Sequence, residues 1–152
     1  MLLLAIAAQL PAACRQTIAL EDRNPGNISP QRLSLWNGAT GYDDAGHAIF
    51  ATKREGLEAL RDNLQAYWRR HHLNTVRKIV RRWTSRKDDP HEIADYINGV
   101  AYIVAAAPDV KLDMENPDVL EALAHGIALE ESGCGDAYPE SLWDSVFHNI
   151  HP

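Results

Sequence analysis

The spacing of hydrophobic residues along this chain changes near residue 52. Before that point, residues 22–51 are rich in Gly, Asn, Pro and Asp, and only His47-Ala-Ile-Phe50 has the character of a short strand. From residue 52 onward, apolar residues recur every three or four positions, which is typical of amphipathic helices. The pattern therefore predicts a loop or small β region followed by a series of helices.

The first two of these helices have start signals directly before their apolar stripes. Thr52-Lys-Arg-Glu55 is a capping box, and it predicts a helix over about 53–70. Asn74 is the expected N-cap of a second helix that reaches Trp83. The polar face of that second helix is basic, with Arg77, Lys78, Arg81 and Arg82.

Three further helices complete the prediction. Asp89-Pro90 and Asn116-Pro117 are N-cap and N1 pairs, each followed by an apolar stripe. The second of these helices should end near Glu131, because Gly133 stands where a C-terminal cap belongs. A short helix around Glu140–His148 comes last. We therefore expect a mainly α fold, an orthogonal helical bundle with a small β element near residues 36–50.

The apolar segment from Met1 to Cys14 allows three interpretations. It resembles a short secretory h-region with small residues before a cysteine that can accept a lipid, but a basic n-region is lacking. About ten apolar residues are too few to span a bilayer, which leaves a signal segment, an anchor that touches the membrane, or a buried first helix. We favour the helix, because Met1 is part of the chain. We assign residues 1–20 to this segment and residues 21–152 to one helical domain.

Size, charge and cysteine content exclude several classes of protein. A chain of 152 residues is the usual size of one domain, and its two cysteines, Cys14 and Cys134, permit at most one disulfide. Residues 53–87 hold eleven Lys and Arg against three acids, whereas residues 88–152 hold fourteen acids against Lys111 alone. Such a split can form a basic face for a polyanion or two solvated faces of one fold. The pI near 5.6 argues against a nucleic-acid partner.

Motifs for common cofactors are absent from the sequence. It has no Gly-rich phosphate loop, no His-Glu-x-x-His, no Cys-x-x-Cys and no Gly-x-Ser-x-Gly. The spacing of four histidines matches no metal-ligand pattern. They are His71, His72, His91 and His125. The sequence therefore predicts no cofactor and no metal centre.

Three segments carry a resemblance to a known family. Arg23-Asn-Pro-Gly-Asn-Ile28 is followed by Trp36-Asn-Gly-Ala-Thr-Gly41, and the matching region closes with Ile127-Ala-Leu-Glu-Glu-Ser-Gly133. In this order, over about residues 23–133, the segments resemble virion-associated structural proteins of phages and prophages. Their layout is also similar to the glucosaminidase branch of the lysozyme-like superfamily. The resemblance implies a lysozyme-like fold, but a fold alone does not establish which reaction a protein catalyses.

Cleavage of a glycan needs a carboxylic acid beside the scissile oxygen and often a second carboxylate. Glu131 resembles the glutamate of the Glu-Ser-Gly motif of lytic transglycosylases, although that motif comes early in those enzymes. Glu21 is the rival, because it closes the first helix just before the β region. Asp43 and Asp44, in a Gly-rich turn, are candidates for the second carboxylate, although turn chemistry also explains them.

Six further residues are candidates for substrate binding. Asparagine side chains can organise the floor of a site, and aromatic rings can stack on sugars, although core packing explains single aromatics equally well. The candidates are Arg23, Asn24, Asn27, Trp36, Tyr42 and Tyr138. This chain departs from the family pattern in two respects: the family usually has more asparagines than Arg23-Asn-Pro25, and its His-Glu-Asn is replaced by Glu130-Glu131-Ser132. The second change suits an acid catalyst or marks a loss of activity.

The sequence thus leads to two functional hypotheses. The first is a muramidase- or glucosaminidase-like hydrolase that acts on peptidoglycan glycan strands, of phage or bacterial origin. The second is a non-catalytic virion or cell-envelope structural protein that assembles with other virion or secretion-system proteins. Both imply a place in the virion or export to the bacterial envelope or periplasm, and residues 1–14 provide a potential membrane contact.

Overall fold

The computed structural model describes residues 17–29, 36–84, 88–134 and 137–149, and the structural statements below concern these residues. The apolar segment 1–14, with Cys14, lies outside them. The described chain contains six helices and one two-stranded sheet and is 57% helical. This confirms the prediction of a mainly α fold with a small β element. In chain order the elements are α1 (Ile18–Glu21), β1 (Ala39–Tyr42), β2 (Ala48–Phe50), α2 (Lys53–His71), α3 (Val76–Trp83), α4 (Pro90–Val104), α5 (Pro117–Ser132) and α6 (Glu140–Phe147).

The N-caps explain where most of the helices begin. The capping box before α2 is formed, because the Thr52 side chain accepts from the Glu55 backbone and the Glu55 side chain accepts from the Thr52 backbone. Asp89 and Asn116 cap α4 and α5 as predicted. The cap of α3 is Thr75 and not Asn74, because Thr75 has the extended backbone of an N-cap and its hydroxyl accepts from Lys78 N.

The two strands form an antiparallel hairpin. Tyr42 pairs with Ala48 and Ala39 with Phe50, with an irregularity between Ala39 and Gly41. The second strand begins at Ala48, one residue later than predicted, because His47 belongs to the turn, where its backbone N–H donates to Asp43 Oδ1 at 2.7 Å. The hairpin therefore presents Asp43 and His47 together at its tip.

The core lies between α2 and the later helices. Its fully buried side chains come from six of the described elements and include Phe50, Leu57, Leu60, Leu64, Ile79, Val80, Val100, Leu123, Ile127 and Val146. Burying each of these larger side chains contributes about 1.5–3 kcal/mol. A Cβ on Gly126 of α5 would lie 3.1 Å from the Cα of Val100 on α4, so these two helices pack closely. None of the described helices has the length and apolar character needed to cross a membrane.

The loop from Asp22 to Ile28 is fixed to both the sheet and α2. Asn24 is fully buried, and its Nδ2 donates to the carbonyls of Ile28 and Ala48 at 3.0 and 2.9 Å. Its Oδ1 accepts from Ile28 N at 2.9 Å. A Cβ on Gly56 would overlap the carbonyl oxygen of Arg23, so only glycine lets the first turn of α2 approach the loop this closely.

Candidate functional site

Two adjoining cavities flank the loop that begins at Asn24. They have volumes of about 910 and 370 Å³ and share Asn27, Ser29 and Trp83 in their linings, and together we call them the groove. The larger cavity is also lined by residues that include Trp36, Asn37, Glu58, Asp62, Asn63, Tyr67, Arg70 and Arg82. The smaller cavity adds His47, Thr84, Asp88, Glu92, Ile93, Tyr96 and Glu131.

Glu131 is held in the smaller cavity through both of its carboxylate oxygens. Oε2 accepts from Asn27 Nδ2 at 3.0 Å, and Oε1 accepts from the Tyr96 hydroxyl at 2.8 Å. Burial, followed by the negative charge of Glu131, raises the pKa of Tyr96 well above its usual value. Tyr96 therefore keeps its proton and donates to Glu131 at every physiological pH.

Asn27 reaches Glu131 because the loop turns sharply before it. The backbone φ of Asn27 is +46°, a left-handed conformation that asparagine tolerates better than most residues. Trp83 Nε1 donates to the carbonyl of Gly26 at 3.1 Å, which ties the loop to the end of α3. The Oδ1 atom of Asn27 is buried and has no hydrogen-bond partner among the described residues. The loop thus offers one amide donor to Glu131 and one free acceptor beside it.

A second cluster of titratable groups lies next to the groove at the tip of the hairpin. His47 Nδ1 and Asp43 Oδ2 are 2.9 Å apart. Partial burial of Asp43 opposes its ionisation, but the hydrogen bonds from His47 outweigh that effect and lower the pKa of Asp43. Burial, and then the charge of Asp43, raises the pKa of the neighbouring Asp22. Asp43 thus ionises more readily than Asp22, and its hydrogen bond orients His47 in the smaller cavity.

The structure brings some of the predicted site residues together. Glu131, Asn27 and Trp36 all line the groove, and Asp43 is linked to it through His47. Asn24 does not line it, since its buried amide fixes the loop that carries Asn27.

The other candidates lie elsewhere. Glu21 is exposed at the end of α1, and Asp44 and Tyr42 are exposed on the hairpin. Arg23 donates to the carbonyl of Phe50 at 3.2 Å. Tyr138 is only 5% exposed and has the Lys53 ammonium group 5.4 Å above its ring. None of these five residues lines either cavity.

Sequence reasoning missed three residues of the site. Tyr96 lies among the apolar residues of α4. The signal for its role was a hydroxyl among aliphatic residues, since such a group needs a hydrogen-bond partner. His47 was read only as the start of a strand, although its spacing of four from Asp43 allows a local ion pair. Trp83 carried no signal beyond its place on the apolar face of α3.

Comparison with known proteins identifies no family for this chain. No family model matches the chain, and no curated protein matches it. The function proposed below is therefore based on the groove and on its hydrogen bonds.

Proposed function

We propose that this protein is a glycoside hydrolase of the muramidase or glucosaminidase kind, directed at peptidoglycan, with Glu131 as the carboxyl group that acts on the glycosidic bond. The observation that carries the proposal is the hydrogen bond from Asn27 to Glu131 inside the groove. The two residues are 104 positions apart. They belong to the two segments, Asn24-Pro-Gly-Asn27 and Glu131-Ser-Gly133, on which the resemblance to phage virion proteins and lytic enzymes was based.

The proposed reaction needs an acid and a base on opposite sides of one bond. Glu131 donates a proton to the glycosidic oxygen while the bond from that oxygen to the anomeric carbon breaks. A water molecule adds to the anomeric carbon and loses its proton to His47, which Asp43 orients. After product release, solvent exchange returns the proton to Glu131 and removes the one from His47.

The larger cavity supports a sugar polymer as the substrate. Trp36, Tyr67 and Trp83 contribute aromatic rings, on whose faces the C–H groups of a sugar ring can pack. Asn37 and Asn63 contribute amides, which both donate and accept hydrogen bonds as sugar hydroxyls require. A cavity of about 910 Å³ has room for more than one sugar ring beside the proposed reaction centre.

The test is release of soluble fragments from purified peptidoglycan, with wild type compared with Glu131→Gln. The substitution keeps the side chain's shape and removes its acidic proton, so we expect a loss of about 10²- to 10⁴-fold in rate. Glu130→Gln is the matched control, because Glu130 is an adjacent acid on the same helix that is exposed and lines neither cavity. It should retain nearly full activity. Glu21→Gln tests the rival acid in the same assay.

Three results would overturn the proposal in different ways. Equal activity of Glu131→Gln and wild type would remove Glu131 from the mechanism, and loss of activity in Glu21→Gln alone would assign the acid to α1. No release above a heat-killed control between about pH 4 and pH 8, which brackets the usual carboxyl and imidazole pKa values, would favour a non-catalytic virion or cell-envelope protein. The replacement of the family's His-Glu-Asn by Glu130-Glu131-Ser132 makes that second function the one to test next.

A further inference from the structure

A separate cluster of titratable side chains lies where α6 packs on α5. Glu121 projects from α5, while Asp144 and His148 come from α6 and the residue that ends it. One donor atom from each of these three residues lies within 4.8 Å of the others. We call these three residues the α5–α6 cluster. None of them lines the groove.

The cluster is partly shielded from solvent and rigidly held. The side chains of Glu121 and His148 are 13% and 20% exposed, and His148 Nε2 is in direct contact with Glu121 Oε2. Asp144 and His148 are four residues apart, a spacing that places both on one side of a helical turn. Arg54 Nη2 donates to Ser145 Oγ at 2.7 Å, and Arg61 Nη1 donates to the Val146 carbonyl at 2.8 Å. The helix that carries two of the three groups is therefore fixed to α2.

The charges around His148 are unbalanced. Glu121 and Asp144 lie within the cluster, and Asp118 Oδ1 is 3.8 Å from His148 Nε2. His125 also faces these acids, with its Nε2 3.5 Å from Glu121 Oε1. The ring of His125 stacks on Trp143 at a centroid distance of 3.6 Å, which restricts its movement. Three carboxyl groups thus converge on two imidazole rings.

We propose that Glu121, Asp144 and His148 form a binding site for a divalent transition metal ion, for which Zn²⁺ is the best fit. Zinc is bound in proteins by imidazole nitrogen and carboxylate oxygen at about 2.0–2.2 Å, which places neighbouring ligand atoms about 3.4 Å apart. The donors here lie at most 4.8 Å apart, so the widest pair must contract while His148 Nε2 and Glu121 Oε2, which are in direct contact, must separate, and partly exposed side chains can make both movements by rotation. Two carboxylates and one neutral imidazole also balance the charge of the ion.

The donor set distinguishes among metals. Mg²⁺ and Ca²⁺ prefer oxygen ligands throughout, whereas imidazole favours Zn²⁺, Co²⁺ and similar ions. The ligands come from α5 and from α6 with the residue that ends it. Bound metal would therefore link α6 to α5, and it would stabilise the folded chain because the unfolded chain does not hold the three groups together. Sequence spacing did not reveal this site, because its ligands are 23 and 4 residues apart on separate helices.

The experiment uses the full chain, stripped of metal with a chelator and dialysed. Isothermal titration with Zn²⁺ is expected to give one strong site per chain, and Zn²⁺ is expected to raise the thermal unfolding temperature. Co²⁺ in the same site should give visible d–d absorption bands. Asp144→Asn and His148→Gln should each weaken Zn²⁺ binding by roughly 10- to 100-fold or more and abolish the cobalt bands. Mg²⁺ at the same concentration should change none of these readouts.

His91→Gln is the matched control, because His91 is exposed on α4. The substitution removes an imidazole without changing the cluster. It should bind Zn²⁺ as the wild type does. Asp144→Asn is nearly isosteric, so its folding can be verified by circular dichroism if His148→Gln proves unstable. Unchanged Zn²⁺ affinity in a folded Asp144→Asn, or equal losses in His91→Gln and His148→Gln, would overturn the proposal and identify adventitious surface binding.

Discussion

Two glutamates on α5 are held in different ways. Glu131, near the end of the helix, accepts hydrogen bonds from a phenol and an amide, Tyr96 and Asn27. Glu121 lies ten residues earlier, about 15 Å away along the helix axis, and its carboxylate faces the imidazoles of His148 and His125. The first carboxylate is held by a phenol and an amide, which carry no charge, whereas the second lies against imidazole rings, whose nitrogens can also bind a metal ion.

This difference suits the groove around Glu131 and the α5–α6 cluster around Glu121 to different functions. Neutral donors fix the position of Glu131 without supplying a competing charge or a competing base, as a group that must exchange its own proton with a substrate requires. The imidazoles beside Glu121 instead offer ring nitrogens as ligands, as a metal site requires. The groove therefore suits proton transfer, while the α5–α6 cluster suits ion binding and structural linkage.

The largest expected effect comes from Gly56→Ala, which should damage the groove and spare the cluster. The added methyl group would overlap the carbonyl oxygen of Arg23, so the loop that carries Asn27 must move away from α2. Alanine is a better helix former than glycine by about 1 kcal/mol, but overpacking costs about 1–3 kcal/mol and occasionally more. We expect a net loss of stability in urea unfolding and loss of peptidoglycan hydrolysis, with Zn²⁺ binding retained.

Gly99→Ala is the control for this substitution. Gly99 also lies within a helix, but the atoms nearest to its new methyl belong to the side chain of Glu130, which is exposed and can rotate. Its stability should stay the same or increase. If Gly56→Ala were as stable and as active as Gly99→Ala, the close approach of α2 to the loop would not position the groove.

A smaller effect is expected for Tyr96→Phe, which removes one of the two donors to Glu131. The partly buried carboxyl group then keeps only Asn27, and loss of a hydrogen bond costs about 0.5–1.5 kcal/mol. Urea unfolding should report that loss, and hydrolysis should slow because Glu131 is less well positioned. Tyr102→Phe on the same helix is the control, since Tyr102 is 85% exposed. Equal stability of the two variants would show that the Tyr96 hydroxyl contributes nothing to holding Glu131.

The helices were predictable from sequence because their signals are local. Pro90 and Pro117 follow residues that do act as N-caps, and the capping box at Thr52 is formed as expected. The cap of α3 was misplaced by one residue, since Asn74 and Thr75 are both good caps and the choice depends on packing. The carbonyl of Asn74 accepts instead from Leu112 N at 2.8 Å, a contact between distant parts of the chain.

The site was predictable only in part, for a related reason. Glu131 and Asn27 were selected separately by their motifs, but nothing in the sequence says that residues 104 positions apart share a hydrogen bond. Tyr138 was selected as a substrate-binding residue, but it is buried and lines neither cavity. A buried tyrosine and a sugar-stacking tyrosine have the same sequence signal. Its burial raises the pKa of its hydroxyl, and that hydroxyl has no hydrogen-bond partner among the described residues.

The smallest expected effect is that of Asp22→Asn, which tests how charge is arranged beside the groove. Burial raises the folded-state pKa of Asp22 above the unfolded value of about 3.9, so folding favours the protonated form. The stabilisation from that protonation is complete below the unfolded pKa and is lost as the pH rises through the folded pKa. Asparagine resembles the protonated acid at every pH. Asp22→Asn should therefore raise the thermal unfolding temperature slightly at pH 7 and leave it almost unchanged near pH 3.

Asp44→Asn is the control for this last substitution, because Asp44 is an exposed acid in the same turn as Asp43. It should change the unfolding temperature little at either pH. If Asp22→Asn lowered the unfolding temperature at pH 7, the Asp22 carboxylate would be stabilised in the folded state despite its burial. The negative charge next to Asp43 and His47 would then be favourable, and burial would not control the ionisation of Asp22.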